Sequence, residues 1–181
     1  QIILGILLLL GVGAFLFVYS GKNTVIPRIA SSTGFRDDPS PYDLSLLSKK
    51  YENKVYRFSV MMPESFTAQE LPTESGEGVV VVLQDNNGSG VQIQISPSSE
   101  EIYTLTADDI RASLPDMNII EEQEVEIGNN YRGVAFKSDN EAFEGDSRDV
   151  WFVFHGTLFQ ITTYARNDSL LQAMFATWKF F

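Results

Sequence analysis

Residues 79–96 read VVVVLQDNNGSGVQIQIS and contain two apolar segments on either side of a turn rich in Gly and Asn. In the second arm, apolar residues alternate with Gln92 and Gln94, which is the period-two pattern of a β-strand. The DNNGSG segment is typical of a hairpin turn. The stretch therefore predicts a hairpin of strands 79–84 and 91–96, with the two glutamines facing outward.

The rest of residues 55–181 continues with strand and helix patterns. Helices are predicted at 106–114, with Thr106 as N-cap and Asp109 as its capping partner, and from Asn167 or Asp168 to Ala176. Further strands are predicted at 55–61, 121–127, 131–138, 147–155 and 158–166. This order, with short loops between the later strands, predicts an α+β domain with an antiparallel β-sheet flanked by helices.

The N-terminal residues are apolar. Residues 2–19 read IILGILLLLGVGAFLFVY without a charge, and as a helix they would be about 27 Å long, close to the ~30 Å core of a bilayer. We expect a transmembrane helix in residues 1–20; a cleavable signal peptide is the alternative, but this run is long and no small-x-small site follows it. Residues 21–54 contain Gly, Ser, Thr and Pro and predict a tether, with a short helix at 43–51 as an option.

Two observations about membrane orientation conflict. Lys22, Arg28 and Arg36 follow the apolar segment, and the positive-inside rule would place the domain in the cytoplasm. An N-terminal anchor before one small domain, in contrast, usually displays that domain outside. We expect a single-pass membrane protein with an extracytoplasmic domain.

The charge distribution excludes some kinds of partner. The chain has a formal net charge of −11, and residues 55–181 carry seven Lys or Arg against twenty Asp or Glu, a net charge of −13. Because such an acidic surface repels phosphate backbones, nucleic-acid binding is not expected. The chain contains no cysteine, which excludes disulfides, thiolate metal sites and cysteine nucleophiles.

The sequence lacks the usual signatures of an enzyme. His155 is its single histidine and lies at a predicted strand end, and there is no G-x-S-x-G motif to supply an activated serine. There is also no G-x-x-x-x-G-K-[ST] phosphate-binding loop. We therefore predict no catalytic residues and no organic cofactor.

An acidic turn is the one candidate metal site. Asp139, Glu141, Glu144 and Asp146 supply hard oxygen ligands of the kind that Ca²⁺ prefers. Their spacing does not match an EF-hand loop, and a solvated acidic hairpin turn is the alternative.

The aromatic residues of strand 147–155 have two interpretations. Alternation places Trp151 on one face of the sheet and Phe152 and Phe154 on the other. If both faces are covered, these side chains are core; if one face is open, they form an aromatic docking surface.

Several short motifs resemble the PsbP-like family. They are Tyr56-x-Phe58-x-Val60-x-x-Pro63, the Leu105-Thr106-x-Asp108 helix start, Gly133 in a strand after a G-N-N turn, and the closing Trp178-Lys179-Phe180. The resemblance covers residues 56–180. It implies an antiparallel sheet sandwiched by helices and an extrinsic subunit of a larger complex, as in photosystem II, where the family member helps to retain Ca²⁺ and Cl⁻. None of the family's ion-binding residues matches a position here.

Together these features predict a membrane-anchored, non-catalytic interaction or accessory module, a candidate subunit of a larger membrane protein complex. Its expected partners are the lipid bilayer, through residues 2–19, and a protein. A pilin-like filament subunit is one alternative, although Gly5 stands near the point where pilins carry Glu and Pro27 interrupts the helix. A hydrolase is the other.

Overall fold

The computed structural model describes residues 42–73, 76–98, 105–128 and 131–181. The predicted transmembrane segment 2–19 and most of the predicted tether lie outside these ranges. In the part of the chain that the structure describes, no helix has the length and apolar character needed to cross a bilayer.

Ten strands and two α-helices form within the described ranges. The strands are β1 (Lys49–Asn53), β2 (Phe58–Met62), β3 (Thr67–Pro72), β4 (Val79–Gln84), β5 (Gly90–Pro97), β6 (Ile119–Ile127), β7 (Tyr131–Ser138), β8 (Ser147–Phe154), β9 (Thr157–Tyr164) and β10 (Lys179–Phe180). The α-helices are α1 (Ala107–Ser113) and α2 (Asp168–Ala176), and single 3₁₀ turns occupy Leu44–Leu46, Glu141–Phe143 and Ala165–Asn167.

The strands make two antiparallel sheets. The larger has the order β3-β4-β5-β9-β8-β7-β6, and the smaller has the order β1-β2-β10. Pairing of β5 with β9 joins the first hairpin to the later strands, and it brings Ile93 opposite Ile161 in the middle of the sheet. The predicted antiparallel α+β architecture is confirmed.

One face of the large sheet packs against the small sheet and α2. The aromatic centre of this core contains Phe58, Phe152, Phe159 and Trp178, each no more than 4% exposed. Phe58 and Trp178 stack with ring centroids 4.5 Å apart, and Phe152 and Phe159 stack at 4.9 Å. Burying such rings is worth roughly 1.5–3 kcal/mol each by transfer from water, so this contact between sheets dominates the core.

The opposite face is also buried. Near β7 and β8 it is covered by α1, whose Ile110 packs with Phe136 and Trp151. The predicted cap of α1 is confirmed: Asp109 N–H donates to Thr106 Oγ1 at 3.2 Å, and Thr106 N–H donates to Asp109 Oδ2 at 2.9 Å. Such a reciprocal pair satisfies two backbone donors that the helix leaves free.

The predicted exposure of two glutamines was wrong. Gln92 and Gln94 are 6% and 3% exposed, and they share their face with the buried residues Val80 and Thr162. Alternation reports only which side chains share a face, and burial of that face depends on the tertiary packing over it.

The start of the folded region also differs from the prediction. Residues 43–51 do not form one helix, because the 3₁₀ turn Leu44–Leu46 ends after a single turn and β1 follows it. β1 lies inside the predicted tether, and the strand predicted at 55–61 begins at Phe58 because residues 54–57 turn the chain from β1 into β2. Only pairing with β2 distinguishes β1 from a linker.

The two edges of the large sheet are protected differently. Strand β6 has a register shift between Ile120 and Gln123, where Glu121 adopts a φ of 53°. Three glutamates of this edge form ion pairs: Glu121 with Lys137, Glu122 with Arg111, and Glu124 with Arg132. The other edge, β3, is short and ends at Pro72. Bulges, charges and prolines are the usual means of blocking unwanted strand addition.

The inter-sheet aromatic core predicts a large effect of truncation. Phe152→Ala should lower the free energy of unfolding by about 3–5 kcal/mol, because it opens a cavity between tightly packed rings. Urea denaturation of the full chain in detergent, followed by tryptophan fluorescence, measures this. The matched control is Leu46→Ala at a side chain that is 54% exposed, and it should change stability by less than about 0.5 kcal/mol. Equal losses in the two variants would contradict this assignment of the core.

Candidate functional site

Two of the three predicted interaction residues are core. Trp151 is 1% exposed and lies against α1, and Phe152 is completely buried between the sheets. Neither side chain can meet a partner in this structure, so the docking interpretation is wrong for both. Phe154 is half-buried at the end of β8, where the sheet opens into a pocket.

This aromatic pocket has a volume of about 420 Å³ and lies between the β1–β2 turn, the β8–β9 turn and β10. Its rings belong to Tyr56, Tyr131, Phe154, Phe159, Phe180 and Phe181. Phe154 and Phe180 stack with centroids 3.8 Å apart, and the ring of Tyr131 meets each of them edge-on, at 4.7 and 4.9 Å. The ends of three strands, β7, β8 and β10, thus present an ordered set of rings at the surface.

Both turns beside the pocket hold a residue with positive φ. His155 and Gly156 form a two-residue hairpin turn with φ of 48° and 72°, as the type I′ geometry requires. Arg57 has a φ of 56°, and its carbonyl accepts a hydrogen bond from Phe181 N–H at 3.0 Å. Such backbone is uncommon outside glycine and persists where surrounding contacts hold it.

A chain of side-chain hydrogen bonds supports the β1–β2 turn. Asn53 Oδ1 accepts from Tyr56 N–H at 2.9 Å, and Asn53 Nδ2 donates to the Tyr51 hydroxyl at 3.1 Å. That hydroxyl donates to Glu70 of β3 at 2.6 Å. Burial raises the pKa of Tyr51, and the bond to Glu70 adds to the effect. Tyr51 therefore stays protonated and links the turn to the large sheet.

Charge around the pocket differs from the rest of the domain. Five of the seven Lys and Arg residues after residue 54 form ion pairs, namely Arg111, Arg132, Lys137, Arg148 and Arg166. The other two are Arg57, which lines the pocket, and Lys179, which precedes Phe180. Neither has a carboxylate within ion-pair distance in the described ranges. No Asp or Glu lines the pocket.

A second groove runs between α2 and strands β6–β8, with a volume of about 550 Å³. Arg148 is 5% exposed there, and its Nε lies 3.1 Å from Asp168 Oδ1. The contact is ionic only, because the N–H of Nε does not point at the carboxylate and makes no hydrogen bond. Glu126 also lines the groove. The groove thus contains two carboxylates and one guanidinium, and the contact between Arg148 and Asp168 neutralises one carboxylate.

The carboxylates of the acidic turn at residues 139–146 do not converge on one point. Asp139 accepts a hydrogen bond from Asn118 N–H at 3.2 Å, and Glu144 pairs with Arg166 at 3.3 Å. Within the described residues, no three His, Cys, Asp or Glu side chains converge as a metal site would require. The structure therefore adds no support for the predicted Ca²⁺ site at Asp139, Glu141, Glu144 and Asp146, which stays a prediction.

Asp149 forms a polar network inside the domain, which sequence analysis did not predict. Its carboxylate accepts hydrogen bonds from Ser147 and Thr162, both at 2.7 Å, and from Ser138 at 3.0 Å. The side chain is 1% exposed, and burial raises its pKa above the ordinary value of 3.8. His155 lies six residues further along the strand, about 20 Å away. This network therefore holds three strands together and does not form a catalytic triad.

The raised pKa of Asp149 predicts a specific pH dependence. The folded state binds the proton more tightly than the unfolded state, so this group stabilises the fold at low pH, and that contribution is lost as the pH rises from 3.8 through the raised pKa. Asp149→Asn should remove this loss while keeping hydrogen-bond partners for the hydroxyls. Denaturant unfolding between pH 4 and 7 should show the variant gaining stability relative to the natural chain as pH rises. If the free energy of unfolding of the two proteins changes in parallel with pH, this prediction is wrong.

No protein-family model matches the sequence, and no curated protein sequence matches it. Among solved structures, it is similar to the solution structure of cyanobacterial PsbP (CyanoP) from Synechocystis sp. PCC 6803. The two share a TM-score of 0.52 and 11% sequence identity over 83% of this chain and 98% of the other. The chain therefore has a PsbP-like fold, which confirms at the level of fold the resemblance that the sequence motifs predicted.

Proposed function

We propose that the protein is a membrane-anchored, non-catalytic accessory module that binds a protein partner as a subunit of a larger membrane complex. The observation that carries the proposal is the aromatic pocket, which exposes ordered rings beside Arg57, a cation without an ion-pair partner among the described residues. The PsbP-like fold supports it, because the sequence resemblance to the PsbP-like family implies an extrinsic subunit of a larger complex.

The arrangement of polar groups favours binding over catalysis. Ser138 and Ser147 donate to the carboxylate of Asp149, which is buried where no substrate can approach. His155 stands on a turn with its ring against Phe154, 4.3 Å between centroids. A nucleophile and a base must lie within hydrogen-bond reach for acyl transfer, and these groups are far apart.

Anchoring would confine the domain near the bilayer. The part of the predicted tether 21–54 that precedes the described residues is 21–41; if these 21 residues are flexible, as their composition predicts, they have a root-mean-square span of ~25 Å. A domain held this close meets membrane-bound partners at a raised effective concentration, so a weak pocket suffices for stable association.

Membrane orientation provides one test of this proposal. The chain has no cysteine, so Ala112→Cys on the exposed side of α1 introduces a unique thiol. We expect a membrane-impermeant maleimide to label this variant in intact cells, and the protein to remain with the membrane after a high-salt or carbonate wash. The matched control is the natural chain, which should not be labelled. Labelling only after the membrane is opened would contradict the extracytoplasmic placement, and release by the wash would contradict the anchor.

Partner capture provides the second test. The full chain, extracted from its native membranes in mild detergent, should co-purify with one heterologous membrane complex in a fixed ratio. A filament composed of its own copies would instead identify a pilin-like subunit, and recovery of the isolated chain would contradict membership of a complex.

A further inference from the structure

We propose that the aromatic pocket receives a segment of the partner polypeptide in which one aromatic side chain is flanked by a carboxylate. This inference rests on the proposed function and names the chemistry of the partner. Its evidence is the size of the pocket, its charge and its fixed geometry.

The size and lining of the pocket suit a single ring. At about 420 Å³ it lies at the small end of protein ligand sites. Tyr131, Phe154 and Phe180 form an edge-and-face cluster with centroid distances between 3.8 and 4.9 Å. A further ring can add to such a cluster by the same offset or edge-on contacts. At the mouth, Val55 and Phe181 are 81% and 49% exposed and become covered when a segment binds.

The charge around the pocket favours an anion beside that ring. Arg57 lines the pocket and is exposed without an ion-pair partner in the described part of the chain, and His155 lines the opposite turn. On a domain where carboxylates greatly outnumber cations, five other cationic side chains are already paired. A carboxylate of the partner would complete the missing pair, and a planar guanidinium can bind it with two parallel hydrogen bonds.

The geometry around the two turns is fixed before binding. Arg57 and His155 are two of the four non-glycine residues with positive φ in the described ranges. The first turn is held by the Asn53 side chain and by Phe181 N–H, and the second by its hairpin pairing. A preformed site loses little conformational entropy when it binds, which raises its affinity for a short segment.

A protein segment fits these observations better than an anionic lipid surface. Most of the rings are half-buried and face a concave space, so a flat bilayer cannot reach them. Of the apolar side chains that line the pocket, Val55 and Phe181 are the exposed ones. A bilayer would require the rings themselves to project into the headgroup region.

The test measures peptide binding to the full chain in neutral-lipid nanodiscs by fluorescence anisotropy. The probe is a labelled, capped peptide with one Phe between two Asp residues in a Gly-Ser background. Two control peptides replace both Asp residues by Asn, or the Phe by Ala. We expect binding of the probe, about fivefold weaker binding of the Asn peptide, and no measurable binding of the Ala peptide.

Variants distinguish the pocket from nonspecific charge attraction. Arg57→Gln should bind the Asp and Asn peptides equally, and Phe154→Leu should weaken both. The matched control, Arg166→Gln, removes an exposed arginine outside the pocket and should retain the preference for Asp. Circular dichroism spectra matching that of the natural chain show that the variants fold.

The outcomes separate this inference from the proposed function. If neither Asp nor Asn peptide binds, or if Arg57→Gln retains the preference for Asp, the inference is wrong. It is also wrong if vesicles containing an anionic phospholipid bind at the pocket and the peptide does not. Should the native complex still co-purify in any of these cases, the proposed function stands and the partner uses another surface.

Discussion

The contact between β10 and β2 is the constraint on which the rest of the structure depends. β10 pairs only two residues with β2, yet it follows Trp178, whose ring stacks on Phe58 almost in parallel. Thr177 reinforces the junction, since its hydroxyl accepts from Met61 N–H at 2.9 Å and donates to the Met174 carbonyl at 2.7 Å. The end of the chain therefore joins the small sheet and α2 to the large sheet.

The same contact creates the pocket. Phe180 continues the line of rings beyond the core, so the outermost members of one aromatic cluster, Phe154 and Tyr131, become the lining of a surface cavity. Core and site are thus physically continuous. Changes to the pocket rings therefore also affect the outer edge of the core. Because truncation of a ring would destabilise the fold as well as the pocket, conservative substitutions separate an effect on binding from an effect on folding better.

Much of the fold could be predicted from local sequence patterns. The first hairpin, the later antiparallel strands, and the capping pair Thr106 and Asp109 all depend on residues close together in the chain. Strands β1, β3 and β10 could not be predicted in this way. β3 is exposed along most of its length and carries no apolar alternation, so only its pairing with β4 defines it. β10 is two residues long and is defined by its pairing with the distant β2.

The site was less predictable than the fold. Of the predicted aromatic residues only Phe154 contributes, because its neighbours Trp151 and Phe152 fall where both faces of the sheet are covered. Sequence placed His155 at a strand end but gave no reason to connect it with Arg57, which is nearly one hundred residues away. Whether a cation lacks an ion-pair partner depends on the tertiary arrangement of every nearby carboxylate.

If the protein is anchored in a membrane as proposed, the acidic, bulged edge at β6 affects how closely its copies can pack. Tethered copies would share a thin layer above the lipid, where sheets with open borders could join side by side. The ion-paired glutamates at this border would lose water on contact with another sheet, and the backbone irregularity at Glu121 mismatches the spacing of an incoming strand, so both discourage such growth. The opposite border is cut short by Pro72. Neighbouring molecules can therefore reach high local density and still remain separate.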